Sequence, residues 1–318
     1  MTASEGGKDG RAPKILIVSP CRNEEKYMRE TLDTMLAQTL LPTRWIVVDD
    51  GSTDRSAEIL AEYRKRAPWI EVVNRPDRGG RSVGPGVIEA FYAGLAHANL
   101  EDYDFVCKLD LDLRLPPRYF EILVDRMNRD PRLGSCSGKP YMPSASGELI
   151  SEKIGDEMSV GMTKFYRVEC FRDIGGFVQQ VMWDGIDCHV SRMKGWKVRS
   201  WDEPELRFVH LRPMGSSQQG VFTGRMRHGF GQYFMGTGLL YISASAVFRM
   251  AHPPYLVGGL GIWWGYLRAM LRREPRFEYP GFREFLHEYQ MKSLFKGKVA
   301  ATEETEASYA THWNQAPL

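Results

Sequence analysis

The chain has 318 residues, 43% of them hydrophobic, enough for one large domain or two modest ones with a real core. Its formal net charge of +2 argues against a general nucleic-acid binder, which carries a strong basic excess. Five scattered cysteines (Cys21, Cys107, Cys136, Cys170, Cys188) show no C-x-x-C spacing, which fits reduced thiols in a cytosolic setting better than disulfides or a zinc site.

The opening MTASEGGKDGRAP is polar, lacks the apolar stretch of a signal peptide, and reads as a disordered tail over residues 1–13. KILIV at 14–18 is the first strand candidate. A helix is expected from about Glu24 to Leu40, with Met28, Leu32, Met35 and Leu36 as its apolar stripe and Asn23 as N-cap. A strand at 44–48, a turn through Gly51, a helix from about Asp54 and a strand at 70–73 follow. A Gly-rich loop spans 78–86, and the helix EAFYAGLAHA leads to a strand at 104–109. Pro116 and Pro117 open a helix whose apolar residues Phe120, Leu123, Val124 and Met127 fall at i, i+3, i+4 and i+7. Strands alternating with helices predict an α/β domain with a mostly parallel sheet.

The second half is less regular, with strand-like pieces near 163–168 and 206–210 and a helix near 186–194. From Gly236 the runs GTGLLYISASAVF and YLVGGLGIWWGYL are apolar but too short to span a bilayer. Arg268, Arg272, Arg273 and Arg276 flank the second run. Aromatics with a basic edge suggest helices lying in a membrane interface; the alternative is a Gly-rich hairpin buried in a core or dimer contact. Phe282, Phe285, Leu286 and Tyr289 mark one more amphipathic helix, and 297–318 reads as a second disordered tail. The expected division is therefore 14–235 as the catalytic domain and 236–296 as a helical extension.

Two acidic stretches, WIVVDDGSTD at 45–54 and FVCKLDLDL at 105–113, each end an apolar strand. Ligands of open α/β sheets bind beyond the carboxyl ends of the strands. Two acidic strand ends there suggest a divalent metal with a nucleotide. In Asp110-x-Asp112 on extended chain, both carboxylates point to one side. A carboxylate only accepts hydrogen bonds, so an acid such as Asp50 selects a nucleotide base presenting an N–H; uracil and guanine both do. Asp49, Gly51, Ser52 and Asp54 read mostly as turn and helix-capping residues.

The ordered set of NEE at 23–25, DDGSTD at 49–54, DLD at 110–112, GGF at 175–177 and WDGID at 183–187 resembles family 2 glycosyltransferases across roughly residues 14–212. That resemblance implies a GT-A fold, a nucleotide-diphosphate sugar donor (UDP- or GDP-linked), and Mg²⁺ or Mn²⁺. It implies that Asp112 ligates the metal while Asp110 bonds the ribose or the metal through water. It gives Asp50 to the base, with Pro20 and Arg22 lining the base pocket, and offers His210 as a further metal ligand. Asp184 is implied as general base of an inverting transfer, with Asp187 as second choice. Trp183 stands where the family commonly has Glu, and either stacks on a sugar or sits in the core. Arg81 in the Gly-rich loop and Arg227 ahead of the apolar region are candidates for the diphosphate. Membrane-associated relatives imply a polyprenyl-linked or cell-surface glycan acceptor, at the inner face of the cell membrane. A sugar nucleotidyltransferase of similar fold and a non-catalytic scaffold of a polysaccharide export complex are the alternatives; neither has use for Asp184.

Overall fold

The computed structural model describes residues 11–77, 79, 84–144, 146–212, 221–252 and 255–314. Chain order begins β1 (Ile15–Cys21), α1 (Met28–Leu36), β2 (Arg44–Asp49), α2 (Ser56–Arg66), β3 (Ile70–Asn74), α3 (Pro85–Leu95), β4 (Phe105–Leu109) and β5 (Leu113–Arg114). It continues α4 (Tyr119–Arg129), β6 (Leu133–Ser137), β7 (Lys139–Pro143), β8 (Leu149–Ser151), β9 (Thr163–Arg167), α5 (Val168–Asp173), α6 (Trp183–Met193), β10 (Lys197–Ser200) and β11 (Arg207–His210). The helices α7 (Val221–Met235), α8 (Leu239–Met250), α9 (Val257–Leu271), α10 (Phe282–Lys296) and α11 (Lys298–Ser308) complete it.

The central sheet runs β10-β6-β9-β4-β1-β2-β3. Strands β3, β2, β1 and β4 are mutually parallel, and β9 enters antiparallel between β4 and β6. In β1, Ile15 to Val18 are fully buried on both faces, which is why this stretch reads as an unbroken apolar run. One core cluster carries Leu32, Met35, Phe120 and Met127 against one face of the sheet, and another carries Phe91, Phe171 and Ile186 against Leu16 and Val48. Of the smaller sheet, β5-β11-β7-β8, only β11 is legible in the sequence, as the piece near 206–210; β5, β7 and β8 are too short to stand out. The sheet matters because β11 pairs antiparallel with β5, with His210 opposite Leu113, one residue past Asp112.

The first helix begins four residues later than expected, and Asn23 is not its cap. Asn23 is left-handed (φ 54°). Its side-chain oxygen accepts from the Thr53 N–H at 2.8 Å, and its own N–H donates to Ser52 Oγ at 3.0 Å. Glu24 N–H donates to Ser56 Oγ and Glu25 N–H to Asp54 Oδ2, so these residues stitch the β1–α1 loop to the β2–α2 loop. Cross-loop bonds outcompete the local cap.

The C-terminal segment corrects the expected tail at 297–318. Helix α11 buries Ala301, Thr302, Thr305 and Glu306. Glu306 accepts two 2.6 Å bonds from Arg199 and lies 3.6 Å from the buried Arg192, while Arg132 donates to its carbonyl at 2.8 Å. The helical part also begins earlier than expected, at Val221. Helices α7 and α9 touch backbone to backbone: a Cβ on Gly265 would lie 2.1 Å from the Met226 carbonyl, and one on Gly229 2.0 Å from that of Ile262. Neither position has room for a methyl group. Among the described residues no helix is long and apolar enough to cross a membrane. The outer faces of α8 and α9 nevertheless expose Leu240, Val247, Phe248, Leu256, Leu260 and Trp264, with Arg249, Arg268, Arg272 and Arg273 also exposed.

His189 joins α6 to α10, with its ring 5.0 Å from that of Tyr289 and near Phe282 and Phe285. Burial, and secondarily the charge of Arg192, push its imidazole down to about 3. The unfolded chain takes up this proton near pH 6.5 and the folded chain does not, so stability present above pH 6.5 is lost as pH falls towards 3. The expected slope is up to about 1.4 kcal/mol per pH unit. Urea midpoints between pH 7 and pH 5 check this, and His189→Phe should flatten the dependence.

Candidate active site

Asp50 follows β2 directly. Its N–H donates to the Cys21 carbonyl at 2.8 Å, which holds it at the carboxyl end of β1. The residue is buried, and its carboxylate pairs with Arg75 at 2.9 Å. Arg22 donates to the Asp50 carbonyl and pairs with Asp77 at 2.6 Å. Pro20, opposite Val48 in the β1–β2 register, lies beside them. The predicted trio Pro20, Arg22 and Asp50 is thus brought together, with Arg75 and Asp77 as partners that sequence reasoning missed. Gly51 has φ +76°, and a Cβ there would sit 2.4 Å from Asp77 Cα, so the turn requires glycine. Asp49 accepts from the Ser52 N–H at 2.8 Å, the turn-capping role expected of it.

The second acidic end lies at β4. Asp110 donates its N–H to the Met162 carbonyl at 2.9 Å, and its carboxylate takes a bond from the buried Lys108. Asp112 is met by β11: the Leu211 N–H donates to its carbonyl at 2.9 Å. That bridge brings His210 Nε2 to 3.7 Å and Arg212 Nε to 3.0 Å from Asp112 Oδ2. His210 Nδ1 faces Glu152 at 3.3 Å, and Arg212 also pairs with Glu24. Burial would raise the Asp112 carboxyl, but His210 and Arg212 together outweigh it and hold it below the usual range. Burial would likewise lower His210, yet Asp112 and Glu152 carry it up to about 9. Among the described residues, Asp112 Oδ1 is buried without a hydrogen-bond partner. Among the described residues no group of three or more His, Cys, Asp or Glu side chains is arranged to hold a metal by itself. The Asp112 oxygen suits a hard divalent cation, whereas His210, held protonated beside Asp112 and Glu152, would have to lose its proton before it could ligate one.

The third acid comes from the other half of the chain. Trp183 and Asp184 open α6, and Asp184 lies against Gly161, whose hypothetical Cβ would be 3.0 Å from Asp184 Oδ2. Lys108, which carries Asp110, also donates to the Gly161 carbonyl at 3.0 Å. One lysine and one glycine therefore link the β4 acid to the α6 acid. Burial foremost, with Asp187 adding, raises the Asp184 carboxyl, while Lys164 and Lys108 oppose the rise. Asp187 cannot serve as the alternative base. It is 2% exposed and bonded by Lys164, by the Tyr166 hydroxyl at 2.6 Å and by the Cys188 N–H at 2.6 Å. Trp183 is buried, packs edge-on against Phe177 at 4.7 Å and faces both lysines, so it belongs to the core and not to a sugar-stacking platform.

The family model described as "Glycosyl transferase family 2" matches residues 16–153. Over that stretch the chain is similar to family 2 glycosyltransferases. A probable glycosyltransferase of Bacillus subtilis, YdaM, is 29% identical over 148 residues, 46% of this chain and 34% of that protein. The poly-β-1,6-N-acetyl-D-glucosamine synthase of Staphylococcus aureus is 27% identical over 135 residues, 42% of this chain and 30% of that one. The aligned region thus spans about a third of the length of these curated relatives. Among solved structures, the mannosyltransferase PcManGT of Pyrobaculum calidifontis, in complex with GDP-Man and Mn²⁺, aligns over 98% of this chain and 88% of its own. Its TM-score is 0.51 at 18% identity. The fold is GT-A.

The family 2 match contains Asp50, Asp110 and Asp112 and stops short of Asp184 and His210. Of the remaining candidates, Arg81 lies outside the described residues. Arg227 is on α7, one helical turn before Gly231, and a Cβ on Gly231 would meet Met182 at 2.4 Å. Helix α7 therefore flanks the start of α6, and Arg227 lies on the side of α7 turned towards it. Lys108, Lys164, Arg75, Glu24, Glu152 and Arg212 were not foreseen as site residues; Glu24 in the NEE stretch and Lys108, two residues ahead of Asp110, offered visible hints.

Proposed function

We propose that this chain is an inverting glycosyltransferase that moves a sugar from a nucleotide-diphosphate donor to an acceptor hydroxyl. The observation that carries this reading is the link from Asp110 through Lys108 and Gly161 to Asp184, which joins a nucleotide end to a carboxylate of raised proton affinity. Asp50, flanked by Pro20 and Arg22, accepts from the ring N–H of uracil or guanine. Asp110 binds the ribose. Asp112, joined by His210 once deprotonated, would hold Mn²⁺ or Mg²⁺, which when bound would offset the charge that builds on the departing diphosphate. Asp184 takes the acceptor's proton as its oxygen attacks the anomeric carbon from the face opposite the diphosphate. A panel of UDP- and GDP-sugars, with and without each metal, tests this. At least one donor should release its nucleotide only with metal present and give a product of opposite anomeric configuration. No release from any donor, or retained configuration, would sink the proposal.

The acceptor is proposed to be polyprenyl-linked or a growing cell-surface glycan, met by a protein lying peripherally on the cytoplasmic membrane face. Support comes from the apolar outer faces of α8 and α9 beside exposed arginines, a composition suited to an anionic bilayer surface. Leu240→Glu combined with Trp264→Glu should cut binding to vesicles containing phosphatidylglycerol at least tenfold, since burying each side chain contributes about 1.5–3 kcal/mol. Equal flotation of variant and parent would count against the membrane reading.

A further inference from the structure

Two lysines are buried beside the proposed base at evident cost. Lys108 on β4 and Lys164 on β9 sit directly opposite each other in the antiparallel ladder, 2% and 0% exposed. Like charges facing each other across neighbouring strands destabilise a sheet. Lys164 also points its ammonium into the first turn of α6, the positive end of that helix. Two apolar residues in place of both Lys164 and Asp187 would fold at similar or lower cost, whereas removing Lys164 alone would strand the buried Asp187 carboxylate. The pair is nonetheless retained directly under the Asp184 turn.

The contacts identify its use. Lys164 Nζ donates to the Asp184 carbonyl at 2.7 Å and to the Asp187 carboxylate, with Cys188 Sγ at 3.3 Å. All three partners lie in the opening turns of α6. The charged groups acting on the Asp184 carboxylate are Lys164 from β9, Lys108 from β4 and Asp187 from its own helix. We propose that Lys164 is the positioning residue of the base: its ammonium ties down the first turn of α6 and keeps the Asp184 carboxylate ionised and ready to accept a proton. This inference rests on the reading of Asp184 as base, and Lys164 touches no substrate in it. Lys164 favours the carboxylate; Asp187, by like charge, favours the neutral acid. Removing either neighbour should therefore move Asp184 in opposite directions.

The test needs no knowledge of the donor. Full-length protein labelled with ¹³C at the aspartate carboxyls is titrated by NMR, and the Asp184 resonance is assigned by its loss in Asp184→Asn. Lys164→Met should raise the Asp184 midpoint by about one pH unit or more, and Asp187→Asn should lower it. If Lys164→Met fails to fold, Lys164→Gln, which keeps a donor for the buried Asp187 carboxylate, should raise the midpoint in its place. Folded variants with an unmoved midpoint, or both moved the same way, overturn the proposal. In transfer assays Lys164→Met should regain turnover as pH rises, a rescue that a packing defect would not give. Near-normal transfer by Asp184→Asn would remove Asp184 as base whatever the titrations show, so the two failures are told apart.

Discussion

Replacing Asp184 by Asn should lower kcat by roughly 10²–10⁴-fold while leaving the KM for the donor almost unchanged. Asparagine keeps the size of the side chain against Gly161 but cannot take a proton. The donor contacts are assigned to other elements, at the ends of β1, β2 and β4, and should survive. The parent enzyme's pH profile carries a signature of the same group. Burial raises the Asp184 carboxyl, and a base works only when deprotonated, so kcat/KM should fall on the acid side at a pH above the ordinary aspartate range. That limb should vanish in the variant. Steady-state kinetics from pH 4 to 8 read both effects, and a variant within about fivefold of the parent would exclude Asp184 as general base.

Replacing Glu306 by Ala should cost about 3–5 kcal/mol of stability, the usual penalty for removing one member of a buried ion pair. Glu306 is the carboxylate shared by Arg199 and the fully buried Arg192. Its loss leaves Arg192 and Arg199 without their shared carboxylate, with only the weaker influence of Asp130 and Glu303 acting on Arg199. Urea denaturation measures the loss, and truncation after Gly297 should match or exceed it. Placing Met at 192, 199 and 306 together should recover part of the stability, because only joint apolar replacement of all three removes the uncompensated charge. A cost under about 1 kcal/mol for Glu306→Ala would mean that α11 adds little to the domain it packs on.

These two expectations sit at opposite ends of what the sequence discloses. The parallel strands were readable because Ile15–Val18, Trp45–Val48 and Phe105–Cys107 are buried on both faces and so carry no polar alternation. The helix after Pro116 was readable because Phe120, Leu123, Val124 and Met127 fall on one buried stripe. Helix α11 was not. KVAATEETEAS buries alanine, threonine and a glutamate, which resemble a solvated tail until Arg192 and Arg199, about a hundred residues earlier, supply their partners. The site divides in the same way. Asp50, Asp110 and Asp112 end apolar runs and announce themselves, whereas His210 is offered by the resemblance alone and Arg212 gains meaning only through the pairing of β11 with β5. That pairing involves two-residue β5, too short to leave a periodic trace. Asp187 and Asp184 are equivalent as letters, and what separates them is the buried Lys164 and Tyr166, which no local pattern links to α6.

The glycine contacts between α7 and α9 have a mechanical consequence. The Gly265 and Gly229 backbones press on opposing carbonyls, so at those two points no side chain separates the helices, while Tyr233 and Tyr266 pack ring to ring beside them. Sliding of one helix past the other is resisted there. The far side of α7 meets the Met182 side chain through Gly231. A displacement of α9, whether by a lipid surface, a binding protein or an engineered linker, is thereby passed towards the residues just ahead of Asp184. Distance from the cleft is therefore a poor guide to which positions in α9 tolerate change, and enlarging a glycine there would move the chemistry before it unfolded the protein.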